Sequence, residues 1–227
     1  AILKEANIKC NIYISPHIQR INERFIFNDE EISDSDLSDL LVKVEEVNNG
    51  EEITYFEILT AAYFLHASKY KKNINIIESG LFHRFDATNI IDKNILSIVT
   101  AIGLDHLDWL PKNEQTIEKI IYEKTTALLN SKIVVAKQSS DDTQELIKQS
   151  LSSNEAKKII FNDNFSYSIN ENEFIYFEDE FGGIKLPQPN LMGQFQIDNS
   201  ATAVAAARNL DLNITEENIK SGITKIK

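Results

Sequence analysis

At 227 residues, 42% hydrophobic and 26% charged, the chain has the composition of a folded globular protein rather than a disordered or collagenous one. Its net charge of −12, from 35 acidic and 23 basic residues with no Lys/Arg block, argues against nucleic-acid or anionic-membrane partners, so anions would be held by helix N-termini or a metal. No apolar run approaches the roughly 20 residues of a membrane-spanning helix, and the lone Cys10 forms no internal disulfide, which fits a reducing cytoplasm.

Short apolar runs alternate with longer amphipathic ones. Strands are predicted at 11–14, 74–78, 95–100, 133–136 and 158–161. These runs are rich in Ile and Val, as in strands buried on both faces of a parallel sheet. Helices are predicted at 53–71, 114–129 and 141–151. In the first, Phe56, Leu59, Tyr63 and Ala67 recur at spacings of three and four. The alternation predicts a three-layer α/β domain with a mostly parallel sheet flanked by helices. Residues 172–189 differ. Aromatic–acidic alternation, Gly182-Gly183 and two prolines predict a small antiparallel hairpin, with strands at 173–177 and 183–186. An alanine-rich helix follows at 197–210. A last helix at 215–222 has Thr215 as N-cap, and Asn218 stands where Glu or Gln would complete a capping box.

In an open parallel sheet, function sits at the carboxyl ends of strands. The run 74–77 ends in Glu78-Ser79-Gly80, either a site acid or an acid in a solvated turn. The run 95–100 leads into Asp105-His106-Leu107-Asp108-Trp109, either a metal site or a capped turn. After the first strand comes Ser15-Pro16-His17-Ile18-Gln19-Arg20-Ile21-Asn22-Glu23-Arg24. Two of the chain's four arginines fall here, for planar anion recognition or for a surface ion-pair loop. Arg84-Phe85-Asp86-Ala87-Thr88-Asn89 forms a further polar loop. Tyr122-Glu123-Lys124, taken alone, reads as solvated helix surface.

Together these stretches resemble the folylpolyglutamate synthase and dihydrofolate synthase branch of the Mur ligases. The matching residues are Ser15-Pro16-His17 with Asn22-Glu23-Arg24, Thr54-Tyr55-Phe56-Glu57, Glu78-Ser79-Gly80 with Asp86-Ala87-Thr88-Asn89-Ile90, Asp105 to Leu110, Glu123-Lys124, and Asn199-Ser200-Ala201-Thr202-Ala203. The resemblance implies a Mur-ligase-like central domain spanning 1–227. It also implies an enzyme that uses ATP to phosphorylate a carboxylate and then joins glutamate to dihydropteroate or folate. By position, it makes Ser15 and Glu78 ligands of Mg2+ on the ATP phosphates and His106 a ligand of a second metal. Lys124 matches the lysine that the family carbamylates. Thr54, Tyr55, Phe56 and Glu57, with Phe85, Asp86 and Ala87, resemble the walls of the pterin site. Magnesium's preference for hard oxygen ligands suits the Ser15–Glu78 set.

Departures accompany the match. Seven glycines in 227 residues is less than half the ordinary usage of roughly 7%. The family's glycine-rich nucleotide loop, G-x-x-x-x-G-K-[ST], has no counterpart in the chain, so no ATP-phosphate residue is assigned. The family's C-terminal, glutamate-handling domain would begin after Lys227. Met192 is the only methionine and the chain opens on Ala1, which together predict a piece of a longer protein. Phe82-His83 stand where the family carries Gly-Gly, and Thr125-Thr126 where it carries Ala-Gly. These changes favour two alternatives: a catalytically inactive remnant, or a domain kept for partner contact. A third reading is a Mur-type ligase acting on another acidic substrate, against which the loop Asp86-Ala87-Thr88-Asn89 speaks.

Overall fold

A computed structural model of the chain describes residues 1–170 and 174–226. They form two compact units, Asn7–Ile90 and Ala1–Ala6 with Ile91–Lys227. Helix α1 (Ile2–Glu5) opens the chain and belongs to the second unit.

The Asn7–Ile90 unit holds β1 (Cys10–Tyr13), β2 (Phe25–Phe27), β3 (Glu30–Glu31), α2 (Asp34–Asn48), α3 (Tyr55–Ala67) and β4 (Ile74–Ile77). The sheet order is β3-β2-β1-β4. β1 and β4 run parallel, in register from Cys10↔Ile74 to Tyr13↔Ile77, and β2 returns antiparallel with Tyr13↔Phe25. The core is aromatic. Tyr13, Phe25 and Tyr63 are fully buried, and Tyr13 stacks on Tyr63 with centroids 4.9 Å apart. The two helices cover this sheet for local reasons. Ser33 accepts the Asp36 N–H as the N-cap of α2, and Leu37, Leu40 and Val44 bury one helix face. Thr54 and Glu57 close a capping box at the start of α3.

The second unit adds β5 (Leu96–Val99), α4 (Ile117–Thr125), β6 (Lys132–Val135), α5 (Asp141–Ser150) and β7 (Lys158–Ile160). After these come β8 (Phe165–Ile169), β9 (Ile175–Asp179), β10 (Ile184–Leu186), α6 (Phe195–Arg208) and α7 (Glu216–Thr224). β5-β6-β7 is a parallel sheet, with Val134 opposite Ile98 and Ile159. β10-β9-β8 is antiparallel. α6 packs Ala201, Val204, Ala205, Ala206 and Ala207 into the core, where small side chains permit close approach. Gly222 of α7 lies so near α1 that an added Cβ would stand 2.6 Å from Ile2 Cα.

The mixed α/β class and the parallel strands follow the sequence reading, with differences at particular elements. β4 is not buried on both faces. It is the edge of its sheet, and Asn75 and Ile76 are exposed. The hairpin of β9 and β10 gains a third strand, β8; residues Asn172 and Glu173 of the expected segment lie outside the described residues, as does Lys227. α4 is shorter than expected because Thr116 caps it by accepting the Lys119 N–H. Asn218 does complete the α7 box with Thr215. Among the described residues, no helix is long and apolar enough to cross a membrane.

Candidate active site

The parallel strands β1 and β4 end side by side, and the loops that leave them meet at once. Ser15 donates its backbone N–H to Glu78 Oε2 at 2.8 Å. Ser15 is half-buried and Glu78 exposed, and neither the Ser15 hydroxyl nor Glu78 Oε1 has a protein partner among the described residues. On two residues joined by that backbone bond, an open hydroxyl and an open carboxylate oxygen are hard-oxygen donors of the type Mg2+ prefers.

The loop after Ser15 is built around its own charges. The Ser15–Pro16 peptide is cis. Glu23 accepts the backbone N–H groups of Ile18, Gln19 and Arg20 at 2.7, 3.0 and 2.9 Å. Those bonds hold its carboxyl below the usual carboxylate range. Arg20 pairs with Asp34 at 2.8 Å and with Glu31 at 3.7 Å, so for this arginine the surface ion-pair reading holds. Arg24 is buried and donates from Nε to His17 Nδ1 at 2.9 Å.

The loop after β4 is organised by Asp86. Its Oδ2 accepts the N–H of Gly80 and of Leu81 at 2.9 and 3.2 Å, and its Oδ1 accepts the Thr88 N–H and hydroxyl at 3.0 and 2.6 Å. Asp86 is therefore a loop-fastening residue. Phe56 stands directly over Gly80, and a Cβ at Gly80 would lie 2.6 Å from its ring. Tyr55 is exposed, Phe85 is 83% exposed, and Ala87 is half-buried. Thr54 and Glu57 spend their side chains on each other in the α3 capping box, with the Thr54 N–H to Glu57 Oε2 at 2.8 Å. The structure thus gathers Ser15, Glu78, Gly80, Phe56 and Asp86 in the Asn7–Ile90 unit. Sequence reasoning missed Gly80 as the seat of Phe56, and it missed the Arg24–His17 bond. The scarcity of arginine was the only available signal for the latter.

His106 and Lys124 belong to the other unit. His106 has a left-handed backbone with φ 57°, and its Nε2 lies 3.1 Å from Asp105 Oδ2. The described residues contain no group of three or more His, Cys, Asp and Glu side chains arranged for a metal. Lys124 is half-buried in the last turn of α4. The solvated-surface reading of Glu123-Lys124 does not hold for Glu123, which is buried and pairs with Lys119 at 3.1 Å. Thr125 is buried as well, bonded to the Ile121 carbonyl and to the Ser150 hydroxyl at 2.7 Å each.

The parallel sheet flanked by helices, the antiparallel sheets, and the polar loops that leave β1 and β4 together define a mixed α/β fold that matches FolC-like structures. Comparison with known proteins narrows this further. No protein-family profile matches the chain. It is 30% identical over 225 residues to the dihydrofolate synthase/folylpolyglutamate synthase of Escherichia coli (strain K12), covering 98% of this chain and 50% of that protein. Among solved structures, E. coli FolC in complex with DHPP and ADP superposes with a TM-score of 0.85 at 30% identity, covering 99% of this chain and 52% of the other. The bifunctional folylpolyglutamate synthase/dihydrofolate synthase of Yersinia pestis, complexed with AMPPNP and Mn ion, gives a TM-score of 0.86 at 28% identity, with coverages of 100% and 53%. Proteins 27–30% identical across nearly all of this chain are dihydrofolate synthase/folylpolyglutamate synthases. The chain spans about half the length of the curated relatives it matches.

Proposed function

We propose that this chain is the central, ATP-handling part of a cytoplasmic ligase that joins glutamate to dihydropteroate or folate. The carrying observation is the meeting of Ser15 and Glu78 at the ends of two parallel strands. In this reading Ser15 and Glu78 hold Mg2+, which supplies positive charge to the phosphate oxygens during phosphoryl transfer. Gly80 and Asp86 keep the neighbouring loop in shape, and Phe56 with the exposed Tyr55 and Phe85 offers ring surface for a pterin. Glutamate, whose amino group forms the new amide, is handled by residues outside those assigned here. His106 and a carbamylated Lys124 are the proposed contribution of the other unit. The bound ADP, AMPPNP and Mn of the similar structures support the nucleotide and divalent-metal part of the reading.

The test begins with metal. Mn2+ titrated into the isotopically labelled chain should broaden the amide signals of Ser15, Glu78 and Gly80 first, and Glu78→Gln should lose that effect. In a full-length enzyme carrying this sequence, ADP release from ATP, dihydropteroate or folate, and glutamate should depend on Glu78. Full activity of Glu78→Gln would sink the metal assignment. One observation favours the second reading, an inactive remnant or a partner-binding domain: the ring of His106 is already engaged by Asp105. Turnover by the full-length enzyme would remove that alternative.

A further inference from the structure

His17 and Arg24 have no task in the ligase reading so far, yet the chain invests a buried charge in joining them. Arg24 is the only buried arginine of the four, and a buried guanidinium is unfavourable unless its donors are used. Its carbonyl accepts the Ile14 N–H at 3.3 Å, which fixes it to the end of β1. Its guanidinium lies 5.8 Å from the centroid of the Tyr55 ring. From that seat Nε reaches His17 Nδ1 at 2.9 Å.

The bond has one chemical meaning. A guanidinium N–H only donates, so Nδ1 of His17 presents its lone pair and the ring proton sits on Nε2. Elsewhere in this loop Glu23 takes the backbone N–H groups of Ile18, Gln19 and Arg20. Nε2 of His17 has no partner among the described residues. It is a half-buried donor of fixed tautomer, two residues from Ser15.

We infer that His17 donates its Nε2–H to an anionic oxygen of bound substrate, and that Arg24 is the positioning residue that sets its tautomer. The identity of the acceptor rests on the ligase reading. A nucleotide phosphate and the carboxylate of dihydropteroate share the required oxyanion chemistry.

Long-range 1H–15N spectra of the labelled chain at pH 7.5 read ring protonation directly, with His17 assigned by its loss in His17→Gln. The wild type should show Nε2–H with Nδ1 as a bare acceptor. Arg24→Lys keeps the charge without the planar Nε–H and should give mixed tautomers. Dihydropteroate and Mg-ADP are then added separately, and the ligand whose oxyanion meets His17 should shift the Nε2–H signal. Its affinity should fall about tenfold in His17→Leu, as expected for one hydrogen bond to a charged group, and be largely kept in His17→Gln, which retains a donor.

An Nδ1–H ring in the wild type overturns the positioning role, whether or not Arg24→Lys folds. A ligand that binds by calorimetry without moving Nε2, and binds His17→Leu as tightly, overturns the donor role and leaves the ligase reading standing. If neither ligand binds a full-length enzyme carrying this sequence, the ligase reading falls and takes the acceptor with it.

Discussion

Glu23 shows how much one side chain can decide in a loop with little regular structure. Its two oxygens hold three consecutive backbone amides, so residues 18–20 keep their course only while the carboxylate is ionised. The direction of the pH effect follows from the lowered pKa. Stabilisation by Glu23 is complete above the ordinary Glu value of about 4.3 and is lost as pH falls through the lower folded value. The amide signals of Ile18, Gln19 and Arg20 should therefore move together in an acid titration, with a midpoint below that of an unstructured Glu. A midpoint at the ordinary value would contradict the arrangement. Several residues of this kind were legible by type and place: Ser15 and Glu78 stand at strand ends, where function is expected. Others were legible only by type. Asp86 is expected at the wall of a site, and the bonds of its carboxylate to Gly80, Leu81 and Thr88 are a further task that its type does not announce. No pattern in a sequence states which backbone amides a carboxylate will face.

The helices were the easier elements to read, because caps and spacing mark their ends. Thr54 illustrates both the strength and the ambiguity of such marks. It accepts the Glu57 N–H at 3.2 Å while Glu57 accepts the Thr54 N–H, so the pair has a structural task before any role with substrate. Thr54→Ala should cost about 1 kcal/mol in urea unfolding, and Thr54→Ser much less. Equal losses in both variants would show that the cap is not what Thr54 contributes. α2 carried the same signals, with Ser33 before Leu37, Leu40, Leu41 and Val44, and belongs among the legible elements although the strand–helix alternation did not anticipate it. Short strands were harder. β2 has three residues, too few to define a period, and is fixed by its pairing with β1 across an intervening loop. Phe165–Ile169 does alternate apolar and polar residues, but the surrounding Asn and Asp residues mask it as a turn. Strand neighbours, set by tertiary pairing, lay beyond local reading.

At the scale of the whole molecule, the two units are built differently along the chain. Asn7–Ile90 is continuous, while its companion begins with Ala1–Ala6 and resumes at Ile91. The join within that second unit is the contact of α1 with α7. Asn218 Nδ2 donates to the Glu5 carbonyl at 2.8 Å, and the Ser221 hydroxyl and Lys225 Nζ reach Glu5 Oε2 at 2.7 and 2.8 Å. Gly222 makes the approach possible, since a Cβ there would meet the Ile2 backbone at Cα and N, 2.6 and 2.7 Å away. Gly222→Ala should destabilise this unit by about 1–3 kcal/mol, as overpacking does, and should expose Lys4 to trypsin. Unchanged thermal melting and proteolysis would mean that the helices part without cost.

The α1–α7 contact also orders events in time. Residues of Asn7–Ile90 find their partners over short stretches of chain, and that unit can assemble while the rest is still being made. α1 cannot. The side-chain partners of Glu5 lie more than 200 residues further on: it is separated from Asn218 by 213 positions and from Lys225 by 220. Closing so long a loop is slow and entropically late. The α1–α7 contact is therefore among the last in this unit to form.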